Sequence, residues 1–362
     1  MNDHNSCLEI KAIDTLAQQN AIQRQSQLTK PPGSLGVLES IAIQLAGHQG
    51  LVCPQINRPW VTVFAADHGI ANEGVSAFPA VVTQEMVKNF SAGGAAITVL
   101  AKANDAAFEV VDVGVLADVT EEGKKPFPNL ISCRVAAGSF NFLHQAAMSN
   151  EMLYKAQNAG CLAVERALEQ GADLFIGGEM GIGNTTSATA IIAQICNVAV
   201  TDIVGIGTGI HSEQKLHKIK VIERALQIHQ ADMTSPMQVL TCVGGLEIAA
   251  LVGAYLTCAE QGLTIVVDGV IACAAALIVC EVAPQAKGWM MFGHQSIEPA
   301  QQAVFHHLDV RPILDLSMRL GEGSGAAMAI PVIKMACLLH AQMATFDEAG
   351  VSESDEVMDK NG

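Results

Sequence analysis

Aromatic side chains are scarce in this chain of 362 residues: Trp, Tyr and Phe together make up 4% of it, against 50% for apolar residues as a whole. A core built without rings must be assembled from Ala, Val, Ile, Leu and Met, which suits helices packed closely on a buried sheet. Basic side chains are also few. Lys and Arg number 20 against 36 Asp and Glu, a formal net charge of −16, which argues against binding nucleic acid or an anionic membrane through bulk electrostatics. An anionic substrate would have to be held locally, by backbone amides or a few placed lysines.

Paired cysteines, metal motifs and a leader are missing as well. The 10 cysteines include no C-x-x-C pair, and several sit in apolar helical runs, so they read as buried free thiols of a reducing compartment. Neither H-E-x-x-H nor a cluster of Cys and His at ligand spacing occurs, so no metal and no cofactor is expected. No basic segment leads into an apolar one near the N-terminus, and the run from Gly269 to Cys280 is too short to span a bilayer. The expectation is a cytoplasmic protein.

What the chain has in quantity is a repeated unit. Val61 to Ala65, Phe108 to Val113, Asp173 to Ile176 and Leu263 to Val267 are short β-branched runs, and they end in Asp67-His68-Gly69, Asp112-Val113-Gly114, Gly177-Gly178-Glu179 and Asp268-Gly269. Helical stretches lie between them, among them 82–90, 94–103, 151–170, 186–194, 212–227, 246–258 and 273–282. Strand, polar tip and helix in repetition predict an α/β fold: a Rossmann-like parallel sheet flanked by helices, with ligands beyond the carboxyl ends of the strands. Helices expected at 8–27, 38–47 and about 325–343 would form a small helical subdomain from both ends of the chain. The division is then a large domain of 57–323, a small one of 1–56 with 324–346, and from Asp347 an acidic tail without periodicity that should fray.

Glycine marks the chemistry. Glu322 stands between Gly321 and Gly323, with Ser324 and Gly325 following, just before a long apolar run. Glycines let backbone and ligand approach closely, and a helix start offers unpaired amides; taken alone, the segment reads first as a charged turn. Gly177 to Thr186, Gly-Gly-Glu-Met-Gly-Ile-Gly-Asn-Thr-Thr, joins a strand to a helix with more glycine than a tight turn needs. It has the character of a phosphate cradle made by Gly178, Gly181, Gly183 and Asn184, without being a Walker A loop. A weaker cluster, 205–209, precedes a helix carrying Lys215, Lys218 and Lys220, one of which could close over a phosphate. His68 and His294 read as hydrogen-bonded pocket or core residues. Ser296 could cap a helix as readily as touch a ligand. Val266-Val-Asp-Gly269 has a faint likeness to the ribose-binding strand end of diphosphate-dependent phosphoribosyltransferases, but the paired acids of that motif are lacking.

In order along the chain, Leu28-Thr-Lys-Pro-Pro-Gly-Ser-Leu-Gly36, Ala66-Asp-His-Gly-Ile70 with Glu73-Gly-Val-Ser76, the 178–186 segment, the 205–209 cluster and Arg319-Leu-Gly-Glu-Gly-Ser-Gly325 closely resemble the nicotinate-nucleotide:dimethylbenzimidazole phosphoribosyltransferase family, from about residue 10 to 345. The resemblance implies a homodimer and transfer of phosphoribose from nicotinate mononucleotide to 5,6-dimethylbenzimidazole. Carried over, Glu322 matches the general base and Glu179 a second pocket carboxylate. Ser76 and Gln84 match the benzimidazole site, and the glycines of 178–183, Lys218 and Ser296 match the phosphate surroundings. Phe78, Met86 and Leu320 are candidates for an apolar wall. Departures occur at Gly293, Gln295 and Gln301, where the family pattern has Ser-His-Arg-Ser and Glu-Pro-Gly-His, at His211-Ser212 in place of two acids, and around Asn141. The alternatives are another acceptor, such as adenine or a phenol, a binding module that does no chemistry, and a nicotinamide-dependent oxidoreductase, which would need a fingerprint not found in register.

Overall fold

A computed structural model describes residues 9–117, 119, 127–205 and 212–352. Its frame is a seven-stranded sheet, every neighbouring pair parallel: β1 (Pro59–Ala66), β2 (Ala107–Gly114), β3 (Leu130–Ser132), β4 (Leu174–Met180), β5 (Thr264–Val267), β6 (Met290–Gln295) and β7 (Pro312–Asp315). The spatial order is β3-β2-β1-β4-β5-β6-β7, so the chain winds outward in one direction from β1 and in the other from β4. Val63 faces Val110 on one side and Gly178 on the other. A crevice therefore opens at the carboxyl ends of β1 and β4, the place where such sheets bind ligands.

The α/β expectation holds, with corrections in detail. β3, β6 and β7 were not foreseen. β3 has three residues, β7 opens on a proline, and Met-Met-Phe-Gly-His-Gln in β6 carries neither alternation nor a β-branched residue. Helices Pro236–Val243 and Pro299–Leu308 were also missed. The first helix starts at Thr15 rather than near residue 8, because Asp14 caps it by accepting from the Ala17 amide at 2.9 Å. The segment expected to fray from Asp347 opens instead with a turn of helix, Phe346–Ala349, held by a capping box between Thr345 and Glu348.

The scarcity of rings is answered by close backbone packing. Helices Asn150–Glu169 and Leu246–Gln261 lie on the same sheet face, and a Cβ on Gly160 would stand 1.9 Å from the Ala250 carbonyl oxygen. Ala and Gly at this contact bring two helices nearer than larger side chains allow. Val270–Cys280 is buried along its whole length, as is β1 from Val61 to Ala66. Of the cysteines in described segments, five are buried as expected, whereas Cys53, Cys133, Cys161 and Cys196 are half-buried. Among the described residues, Ser324–Gln342 is the helix long and apolar enough to cross a membrane, and 56% of its apolar window is buried in the fold.

Contacts divide the chain into two units: Arg58–Ala329 with the described part of Met1–Lys11, and Ala12–Asn57 with Ile330 onward. Helix Ser324–Gln342 contributes to both. In the smaller unit Arg24 donates to the carbonyls of His340 and Ala341 at 2.8 and 2.9 Å. His340 donates from Nε2 to Val52 O at 2.8 Å, which leaves its Nδ1 to accept from Gln25 at the same distance.

Candidate active site

Four carboxylates and two histidines gather near the carboxyl ends of β1, β4, β5 and β6. Just past β1, His68 is buried with both ring nitrogens engaged: Nε2 lies 2.7 Å from Glu247 Oε1 and Nδ1 lies 3.0 Å from Ser187 Oγ. Gly181 and Gly183 pack directly over His68, where a Cβ on either would come within 3.2 Å of it. This is why the turn after β4 is so rich in glycine. The Ile182 amide of that turn donates to Thr83 Oγ1 at 3.2 Å, tying it to helix Val81–Ala92.

Glu179 ends β4. It is 6% exposed and accepts from Asn184 Nδ2, the first residue of the following helix, and from the Glu322 amide. Burial pushes its carboxyl well above the usual range, and the nearby charges of Glu247, Asp268 and Glu322 add to this.

Glu322 sits on a loop with three successive left-handed residues: Gly321 at φ +88°, Glu322 at +64° and Gly323 at +86°. For a residue with a Cβ this conformation costs about 1–2 kcal/mol, and tertiary contacts enforce it here. Gly178 of β4 packs against the loop so tightly that a Cβ there would meet the Glu322 carbonyl oxygen at 2.2 Å. The side chain is 4% exposed, receives the Ile97 amide from the start of helix Ala96–Ala103, and leaves Oε2 without a hydrogen-bond partner among the described residues. Burial first and the charge of Asp268 second raise its pKa to about 7.

These groups border a cleft with about 790 Å³ of empty space, part of it open to solvent. Of the residues expected from the sequence, Ser76, Glu179, Gly181, Gly183, Asn184, Ser296, Leu320 and Glu322 line it. Gly178 lies beneath the Glu322 loop. Lys218 stands just behind the wall: it is 2% exposed and donates to Thr185 Oγ1, a lining residue, at 2.8 Å. Burial lowers its pKa to about 8, partly offset by the Glu298 carboxylate. Lys215 is half-buried and Lys220 exposed. Gln84 and Met86 are half-buried on helix Val81–Ala92, and Phe78 is 47% exposed with its amide donating to Ser76 Oγ at 3.2 Å; none of the three lines the cleft. Of the 205–209 cluster, 206–209 lie outside the described residues, as does His211.

Thr185, Glu298 and Arg319 also line the cleft, without a role expected from the sequence; Thr185 and Arg319 were in view within their motifs. His294, read from the sequence as a pocket or core residue, lines it from β6. Ser296 caps no helix; Glu298 is the N-cap of Pro299–Leu308, and the Ser296 hydroxyl accepts from its amide at 3.3 Å. Gln301, one of the departures, is fully buried behind the cleft, where Nε2 donates to the carbonyls of His294 and Asp268 at 3.1 and 3.3 Å and Oε1 accepts from the Ser296 amide at 2.5 Å.

A family described as Phosphoribosyltransferase matches residues 10–351. Nicotinate-nucleotide–dimethylbenzimidazole phosphoribosyltransferase of Pseudomonas fluorescens is 48% identical over 343 residues, 95% of this chain and 96% of that protein. The Pseudomonas putida protein of the same name is 48% identical over 341 residues, 94% and 96% of the two chains. The crystal structure of the Thermus thermophilus protein of that name superposes with a TM-score of 0.88 at 41% identity, covering 94% of this chain and all of that one. With the fold, the family match and the relatives in agreement along nearly the whole length, the chain belongs to the nicotinate-nucleotide–dimethylbenzimidazole phosphoribosyltransferase family.

Proposed function

We propose that this chain transfers the 5-phosphoribosyl group of nicotinate mononucleotide to 5,6-dimethylbenzimidazole, releasing nicotinate and forming α-ribazole 5′-phosphate with inversion at C1′, a step of cobalamin nucleotide-loop assembly. The observation that carries the reading is Glu322: a buried carboxylate beside an open cleft, with one oxygen unpartnered and a pKa of about 7. As one ring nitrogen of the benzimidazole bonds to C1′, the other must lose its proton, and Glu322 Oε2 is free to take it. The bond from C1′ to the pyridinium nitrogen breaks with its electron pair returning to that ring, so the leaving group departs with a neutral ring and needs no acid. Attack opposite the leaving group turns β into α.

The remaining residues take positions around that exchange. The Gly181–Gly183 turn, Ser296 and Lys218, acting through or past Thr185, surround the phosphate. Ser76 and Leu320 receive the acceptor ring, whereas Phe78, Gln84 and Met86 stand outside the cleft lining. Glu179, whose ionisation burial and three carboxylates oppose, holds Asn184 and the Glu322 amide in place.

Purified protein incubated with both substrates should release nicotinate and form the phosphoribosylated base in equal amounts, read by liquid chromatography and mass spectrometry. Glu322→Gln should fold normally and turn over about 10²- to 10⁴-fold more slowly; a near-normal rate would remove Glu322 from the role of base. The same reading carries a homodimer in the cytoplasm, and sedimentation of the purified protein checks the dimer.

A further inference from the structure

Asp268 follows β5 at the carboxyl edge of the sheet; it is 2% exposed and does not line the cleft. Both of its carboxylate oxygens engage one short piece of backbone. Oδ2 accepts from the Gly323 amide at 3.1 Å and Oδ1 from the Ala326 amide at 2.8 Å. Helix Ser324–Gln342 has no acidic residue in its own first turn, so a carboxylate from another part of the sheet satisfies its leading amides. From the opposite side Ser324 donates twice to the Gly321 carbonyl, from N at 3.0 Å and from Oγ at 2.7 Å. Glu322 hangs between these two anchors in its left-handed conformation.

The ionisable groups facing Asp268 are His294 on β6, with Nε2 at 3.5 Å, Tyr255 on helix Leu246–Gln261, Cys273 on helix Val270–Val282, and the carboxyls of Glu179 and Glu322. None of these is a lysine or arginine, so the negative charge of Asp268 is offset by two amides and an imidazole edge. The remainder bears on Glu322, where it opposes ionisation.

We propose that Asp268 is a positioning residue for the transfer: it fixes the backbone that carries Glu322 and keeps a negative charge beside that carboxylate, while touching no substrate itself. The inference rests on Glu322 being the base. Without the Asp268 carboxylate, two buried amides lose their acceptor and the strained loop loses the contact that opposes its relaxation.

Asp268→Asn keeps the shape and one acceptor oxygen but removes the charge. Turnover should fall at least about tenfold with KM for both substrates within about threefold, the pattern of a lost transition-state interaction. The acid limb of the kcat–pH profile should move to lower pH by about half a unit to one unit. The double variant Asp268→Asn, Glu322→Gln should be no slower than Glu322→Gln alone, because the two residues act as one. An acid limb left at its original pH, or losses that multiply in the double variant, overturns the proposal. Near-normal turnover by Glu322→Gln alone removes the base reading instead, a result independent of Asp268→Asn. Where circular dichroism shows that Asp268→Asn is unfolded, Asp268→Glu carries the test: charge kept but displaced should cost rate and leave the limb in place, and an unchanged rate overturns the assignment.

Discussion

A carboxylate that takes a proton near neutrality has to be kept from ionising early, and at Glu322 burial does most of that work. The arrangement has a cost that can be measured. With a pKa of about 7 in the folded protein against an ordinary 4.5, the protonated form is the one the fold favours. Its contribution to stability is complete below about pH 4.5 and lost as the pH rises through 7; ionised, the residue costs on the order of 3 kcal/mol. Glu322→Gln should therefore melt about 2–5 °C above the wild type at pH 8, with the difference closing toward pH 5 in scanning calorimetry. Identical melting at both pH values would mean that Glu322 ionises as it does in water. Glu322 and Glu179 were legible from the sequence because each has glycine for neighbours and glycine is conspicuous. Asp268 was noticed as a strand's polar tip and for a likeness that failed, with no role attached. Its partners, Gly323 and Ala326, lie 55 and 58 positions away, and hydrogen bonds to backbone leave no mark on the residue types that donate them.

At the scale of elements, the site depends on β4 and the start of helix Ser324–Gln342 touching backbone to backbone. Gly178→Ala places a methyl group 2.2 Å from the Glu322 carbonyl oxygen and 2.8 Å from the Gly323 amide nitrogen, neither of which can swing aside. Urea unfolding should register a loss of about 1–3 kcal/mol, and activity should fall further than stability because the displaced group is the loop of the base. A variant with wild-type turnover would show that the loop has slack. β1, β2, β4 and β5 were visible in the sequence because they are short β-branched runs ending in polar tips. The remaining strands were not: the pairing of β6 with β5 through Val266 and Met291 lets a methionine-rich segment serve as a strand, a case of tertiary context outweighing propensity. His294, on that strand, was legible as a pocket or core residue but had no place in the sheet.

For the molecule as a whole, the net charge of −16 stands against an anionic donor and is indifferent to a neutral benzimidazole. Screening should therefore help one substrate only. Between about 10 and 150 mM salt, kcat/KM for nicotinate mononucleotide should rise by about twofold while KM for dimethylbenzimidazole stays level; a fall with salt would mean that local cations such as Lys218 and Arg319 govern the approach. The division into two units carries a different consequence, one of timing. Helices Thr15–Gln27 and Val37–Gln49 leave the ribosome long before the segment they meet: the partners of Arg24 and Gln25 lie at 340 and 341 and that of Leu28 at 345. At about 5–20 residues per second, translation of the intervening chain takes roughly 15–60 s. For that interval the two helices have only each other to pack against, which makes them a natural holding site for chaperones on the nascent chain.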